Sequence, residues 1–286
     1  MIRIIFFAVC ISFVGQSCKQ QTENQEVFNI EFSQSVNDSL SYSITTSVES
    51  EMEVMNQKIS NDITTSNISH LKAVKVSPDE KVFEMRFSDF KMEMLVNGKN
   101  MSSAISDSVL QKEMVKLNAV TTQIVLDGNN KIKSIRNLST LDTTSQQSRQ
   151  ISQFFTQENM QQSSQTIFFN PNKKTLKKGD KWNAISNYNL MGSNFEANVT
   201  YEFLGEKDGL AYISATGDIK GKGLMDAGTK KFELTLDSKL KSKMQYVMKT
   251  GYLKENISTV LGSGNLMVAD KTIPMKINVK TTMQLN

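Results

Sequence analysis

The sequence holds one histidine, His70, in 286 residues. A serine or cysteine hydrolase with an imidazole proton shuttle would have to be built on it. His70 stands between Ser69 and Leu71 inside an alternating run, and no Gly-x-Ser-x-Gly elbow surrounds any serine. It reads as a half-exposed strand residue, not as a general base. Cysteine is as scarce: Cys10 and Cys18 are the two, both near the start. A zinc site therefore lacks ligands, and a disulfide within the body of the chain is excluded, so stability rests on the core. Three prolines leave few forced turns. Gly262-Ser263-Gly264 lacks the lysine and the following helix of a phosphate loop, and Asp127-Gly128-Asn129-Asn130 lacks the spacing and final glutamate of a calcium loop. Paired carboxylates of a glycosidase would meet only in the fold, and nothing in the sequence favours them. No catalytic residue, metal or cofactor is expected, and the protein reads as non-enzymatic. The net charge of +4 comes from lysines spread along the chain, which does not indicate nucleic acid.

What is present begins with an export signal. Met1 and Arg3 form a short basic region, and Ile4 to Val14 is an apolar run too short to span a bilayer as a helix. Gly15-Gln16-Ser17 then leads to Cys18. Small residues before a cysteine resemble the lipobox of bacterial lipoproteins, and relaxed forms ending in Ser-Cys resemble those of Bacteroidota. That resemblance implies cleavage after residue 17 and lipidation of Cys18. The alternative is ordinary cleavage near Ser17, leaving a secreted protein with one free thiol. Residues 18–26 are polar and read as a tether. Lys19, rather than aspartate, after the cysteine resembles the sorting signal for the outer membrane, and the tether lacks a dense acidic run, which favours the periplasmic side. The expected location is the cell envelope, with the membrane as partner through the lipid anchor.

The rest reads as mainly β. Long antiparallel strands are expected to form curved sheets, an open barrel or a sandwich, in two related halves with one or two short helices. The first half is placed at 27–139, a helical connector at 140–170 and the second half at 171–286. Leu40 to Val54, Ile59 to Val76 and the run through Phe83 alternate as strands. In that third strand Phe83, Met85 and Phe87 share one parity, whereas Phe90, Met92 and Met94 share the other, so a β-bulge is predicted around Ser88-Asp89. Asp107 to Leu117 has helical spacing. Thr122 to Leu126 and Ile132 to Ile135 flank a polar reversal, as do the two arms of Met244 to Ile257 around Thr250-Gly251. Thr140 to Gln165 places Ile151, Phe154, Phe155 and Met160 near helical spacing. Gly217, Gly221, Gly223 and Gly228 are expected to loosen the chain, and Ile273 to Leu285 alternates cleanly, with Pro274 marking an edge at its start. Two further landmarks suggest duplication: Val36 to Tyr42 and Leu176 to Trp182 each run from an aliphatic through a small turn residue to a large aromatic.

The 16 methionines are the compositional oddity. Many fall on strands, where methionine either fills irregular core space or lines a surface that accepts varied apolar partners. Phe83, Met85, Phe87, Met92, Met94 and Met275 are the candidate ligand-facing residues. The lipobox-like start, the Lys-x-Gly-Asp-x-Trp turn at Lys177 to Trp182 and the long alternating strands resemble a family of uncharacterised Bacteroidota envelope lipoproteins. The general look is similar to periplasmic carriers of lipid or lipoprotein, which implies a curved sheet around an apolar cavity. The function expected is a lipid or other apolar ligand held within a curved sheet. The alternative is a structural module that docks an envelope protein.

Overall fold

The computed structural model describes residues 27–29, 32–54, 56–101, 107–119, 121–137, 155–171, 173, 175–190, 193–226, 231–268 and 271–286. The expected signal, Cys18 and its tether lie outside these residues, as do Ile151 and Phe154. Among the described residues fourteen strands and two helices follow one another. They are β1 (Val27–Asn29), β2 (Ser39–Val54), β3 (Gln57–Val76), β4 (Glu80–Val96), β5 (Lys99–Asn100), α1 (Asp107–Ala119), β6 (Thr122–Asp127) and β7 (Ile132–Arg136). After these come α2 (Gln157–Ile167), β8 (Thr175–Lys177), β9 (Lys181–Leu190), β10 (Ser193–Lys207), β11 (Leu210–Asp226), β12 (Lys231–Val247), β13 (Leu253–Val268) and β14 (Lys271–Leu285).

Twelve strands make one curved antiparallel sheet that does not close into a barrel. Its order is β7-β6-β4-β3-β2-β14-β13-β12-β11-β10-β9, with β5 beside the end of β4. β1 pairs with β8 as a separate ribbon, not with the first long strand. Hairpin chemistry sets most of the connections: Asn97 and Gly98 both take positive φ, as a tight two-residue reversal requires. β14 is central, but residues 271–274 pair only with β13 because β2 joins at Met275, and there Pro274 withholds no donor from β2. The glycines of β11 do not loosen it. Gly217 lies within the strand where a Cβ would stand 2.8 Å from the Asn198 carbonyl oxygen, so it permits close backbone approach.

The two halves carry the same backbone plan. Ser35 N donates to Asp38 Oδ2 at 2.9 Å, Asp38 N to Ser35 O at 3.1 Å, Asn37 N to Ala73 O at 2.8 Å and Ala73 N to Asp38 O at 2.9 Å. In the second half Lys177 N donates to Asp180 Oδ2 at 3.0 Å, Asp180 N to Lys177 O at 2.9 Å, Gly179 N to Phe203 O at 2.7 Å and Phe203 N to Asp180 O at 2.9 Å. Asn37 and Gly179 share positive φ, at 74° and 88°. Immediately beyond Ala73 and Phe203, the ladders slip by one residue, at Val74 and Leu204. A further slip falls at Lys133 on β7 and at Lys254 on β13. Strands β2, β3, β4, β6 and β7 thus correspond to β9, β10, β11, β12 and β13, and β14 joins the two sets. The register sets Leu40, not Tyr42, at the place of Trp182, two residues from the match that sequence spacing suggests.

The expected bulge is present in β4. Ser88 pairs with Ile68 and Lys91 with Ser66, so Asp89 and Phe90 together oppose Asn67, and Asp89 takes φ 52°. The extra residue restores the inward face: Phe83, Met85, Phe87 and Phe90 are all buried. α1 packs Met114 and Leu117 inward, and Asn118 serves the edge of β4. Its Oδ1 accepts from Phe87 N at 3.0 Å and its Nδ2 donates to Phe87 O at 2.6 Å, in place of a strand. Between the reach of β6 at Met85 and of β5 at Leu95, no other described strand covers that edge. Among the described residues no helix is long and apolar enough to cross a membrane.

Candidate binding cavity

The strands bury their inner faces in one core, with an aromatic cluster at one end. Phe83 packs on Phe168 with ring centroids 4.7 Å apart, and both meet Tyr252 at 6.2 Å. Along β2 and β3, beyond Tyr42 and Leu71, the inner positions change character: Thr46, Ser50, Asn61, Thr65 and Asn67 alternate in line with Ile44, Val48 and Ile63. Short polar side chains do not fill the space that Leu or Phe would fill, and a cavity of about 500 Å³ lies over them, partly open to solvent. Past it, Met275 and Leu236 are buried again.

α2 covers the cavity. Thr156 caps it, its Oγ1 accepting from Asn159 N at 3.2 Å. Met160, Ser164 and Ile167 form its buried stripe at helical spacing. Ser163 and Thr166 donate to carbonyls of their own helix, at Asn159 O (2.9 Å) and Gln162 O (3.3 Å), so they face the cavity with those hydrogens already engaged. The Tyr246 hydroxyl donates to Thr166 O at 2.8 Å, and Phe168 bridges to Tyr252, which fixes the helix end to the β12–β13 hairpin. Ahead of the helix, Phe155 sets its ring against Phe87 at 5.2 Å and Phe90 at 5.4 Å. The bulge makes that pairing possible by keeping both rings on one face.

From the second half, Leu240, Ser242 and Met244 of β12, Asn256 and Val260 of β13 and Ile277, Val279 and Met283 of β14 complete the lining. Tyr188 and Tyr201 line it from β9 and β10. Burial, with Tyr201 nearby, pushes the Tyr188 hydroxyl well above the usual phenol range. Tyr201 stacks on Trp182 at 5.5 Å and 9°. Among the described residues about half of the lining carries a hydroxyl or amide, and none of it a charged side chain. Several polar groups pair among themselves: Ser242 Oγ donates to Asn256 Oδ1 at 2.6 Å, and Thr46 and Thr281 share a 3.2 Å hydrogen bond. Among the described residues no group of three or more His, Cys, Asp or Glu could hold a metal.

Of the residues singled out in the sequence, Phe87 and Met94 line the cavity. Phe83 and Met85 are buried in the packed core, Met275 is buried beyond the cavity, and Met92 is half-buried against that core. Phe155 and Met160, read together from near-helical spacing, both belong to the lining, Met160 from α2 and Phe155 from the residues just ahead of it. The inward Ser, Thr and Asn of β2 and β3 were missed as cavity residues, because polarity on a strand reads as solvent exposure. His70 lies on the opposite face from Ser69 and is exposed, its ring nitrogens 2.9 Å from Ser41 Oγ and Ser88 Oγ.

A large antiparallel sheet built from two like sets of strands, curved over a cavity that no charged side chain lines among the described residues and covered by α2, defines the class of this protein. The chain belongs to the family of unknown function DUF6263, whose pattern matches residues 79–253, from the turn before β4 to the first residue of β13. No curated protein matches it. A solved structure titled for lipid–protein interactions in lipovitellin is similar at a TM-score of 0.49 and 12% identity, over 90% of this chain and 25% of that one. The chain thus spans about a quarter of that protein's length.

Proposed function

We propose that this protein is a non-catalytic binding protein that holds a lipid or other apolar ligand between the curved sheet and α2, and that it is carried in the cell envelope on a lipid at Cys18. The cavity of about 500 Å³ carries this reading. Protein interiors are packed like organic crystals, and ligand sites occupy roughly 300–1,000 Å³. A dry apolar void of this size would cost on the order of 10 kcal/mol, comparable to the whole stability of a domain. The space therefore holds water against its polar rows or a ligand against its apolar ones. Phe155 and Met160, two of the residues that cover it, are apolar and buried, which suits a partner with hydrocarbon, and the polar Asn159, Gln162, Ser163 and Thr166 beside them suit its polar groups.

The test uses the full chain carrying Cys18→Ser, purified without detergent and examined by native mass spectrometry. Co-purifying apolar molecules in the wild-type cavity, lost in Val279→Trp with the melting temperature maintained, are the expected result. A chain that carries nothing and takes up no added amphiphile would overturn the reading.

A further inference from the structure

We infer that the ligand is an uncharged amphiphile whose buried part carries hydroxyl, ester or amide groups beside its hydrocarbon. This rests on the proposal that the cavity is a binding site, and it follows from the composition of the wall. Among the described residues no Asp, Glu, Lys, Arg or His lines the cavity, so an ion brought inside would lose its water without gaining a counter-charge from them. Tyr188 offers a neutral hydroxyl to the same space.

A plain hydrocarbon fits no better. It would strip water from the hydroxyl and amide groups of β2, β3, β13 and β14 and return no hydrogen bond. Asn256 makes the point in detail. It is buried, and its Oδ1 is taken by the Ser242 hydroxyl, while its amide N–H groups have no partner among the described residues. Those donors call for a carbonyl, ester or hydroxyl oxygen. The Thr46 and Thr281 hydroxyls, bonded to each other with one hydrogen between them, present a further donor and acceptor sites on the same inner face. Apolar neighbours such as Val279 and Met94 then enclose the chain of the same molecule.

Three probes of equal chain length separate the possibilities: 1-monododecanoylglycerol, dodecanoate at pH 8 and dodecyltrimethylammonium, each below its aggregation concentration. Binding to the full Cys18→Ser chain is read by Trp182 fluorescence, which is sensitive through the Trp182–Tyr201 stack, and by mass retained in native mass spectrometry. The neutral ester is expected to bind at least tenfold more tightly than either ion. Asn256→Leu should weaken the ester by about tenfold and leave the ions unchanged, with Thr281→Val as the second variant should Asn256→Leu not fold. Equal affinity for the ester and an ion would overturn this inference and leave the cavity reading standing. If none of the three is retained and Trp182 does not respond, both fall.

Discussion

Tyr42, Tyr246 and Tyr252 bury their hydroxyls as well as their rings. Tyr42 donates to Leu253 O at 2.9 Å, Tyr246 to Thr166 O at 2.8 Å and Tyr252 to Asp38 Oδ2 at 3.1 Å. Burial pushes all three phenols well above their ordinary value, with the Asp38 carboxylate adding to the effect on Tyr252. A phenol whose folded value exceeds its unfolded value of 10.0 contributes stability that is complete below that pH and is lost above it. The urea midpoint should therefore be insensitive to these groups near neutrality and fall as the pH rises past about 10. Tyr42→Phe should cost about 1–2 kcal/mol at neutral pH, because a buried carbonyl loses its donor, and it should make the alkaline decline shallower. Measured urea denaturation across pH checks both signs. Tyr42 was legible as an inward strand residue from its parity with Leu40 and Ile44. Its partner was not, since Leu253 lies 211 positions away and only the fold brings them together.

At the scale of single elements, the β4 bulge places an ordinary residue in a backbone conformation that favours glycine. Asp89 has φ 52°, and its exposed hydrogen bond from Ser88 contributes little. Asp89→Gly should leave stability unchanged or raise it by up to about 1 kcal/mol, whereas Asp89→Val should lower it by roughly 1–2 kcal/mol, because a β-branched residue is strained there. Thermal unfolding of both variants gives the comparison. This bulge could be read from sequence because large apolar side chains report parity on both sides of it. The matching slips at Val74 and Leu204 could not, since polar and small neighbours blur the alternation. The hairpin likeness of Ile124 to Ile135 and Met244 to Ile257 was visible for the same reason as the Asp89 slip: apolar arms flank polar reversals. The cavity wall escaped notice because Thr46, Asn61 and Thr65 resemble solvent-facing residues until a helix is seen to cover them.

For the whole molecule, β14 governs cooperativity. It pairs with β13 on one side and β2 on the other, so the two like halves share an uninterrupted ladder and one core. Unfolding should be a single transition. Trp182, the sole tryptophan, reports on the second half, and far-ultraviolet circular dichroism reports on every strand. Their denaturation midpoints should coincide; a Trp182 transition that comes first would show the halves to be separable. The same sheet has one place where a side chain does the work of a strand. Phe87, which lines the cavity, is held at its edge by the amide of Asn118. A ladder opens only when a row of bonds breaks in concert, but one carboxamide can rotate away and return while every strand stays paired. The Phe87 amide should therefore exchange its hydrogen faster than the ladder amides on either side of it in β4, and Asn118→Ala should speed that exchange further while leaving its neighbours unchanged, as hydrogen-exchange mass spectrometry would show.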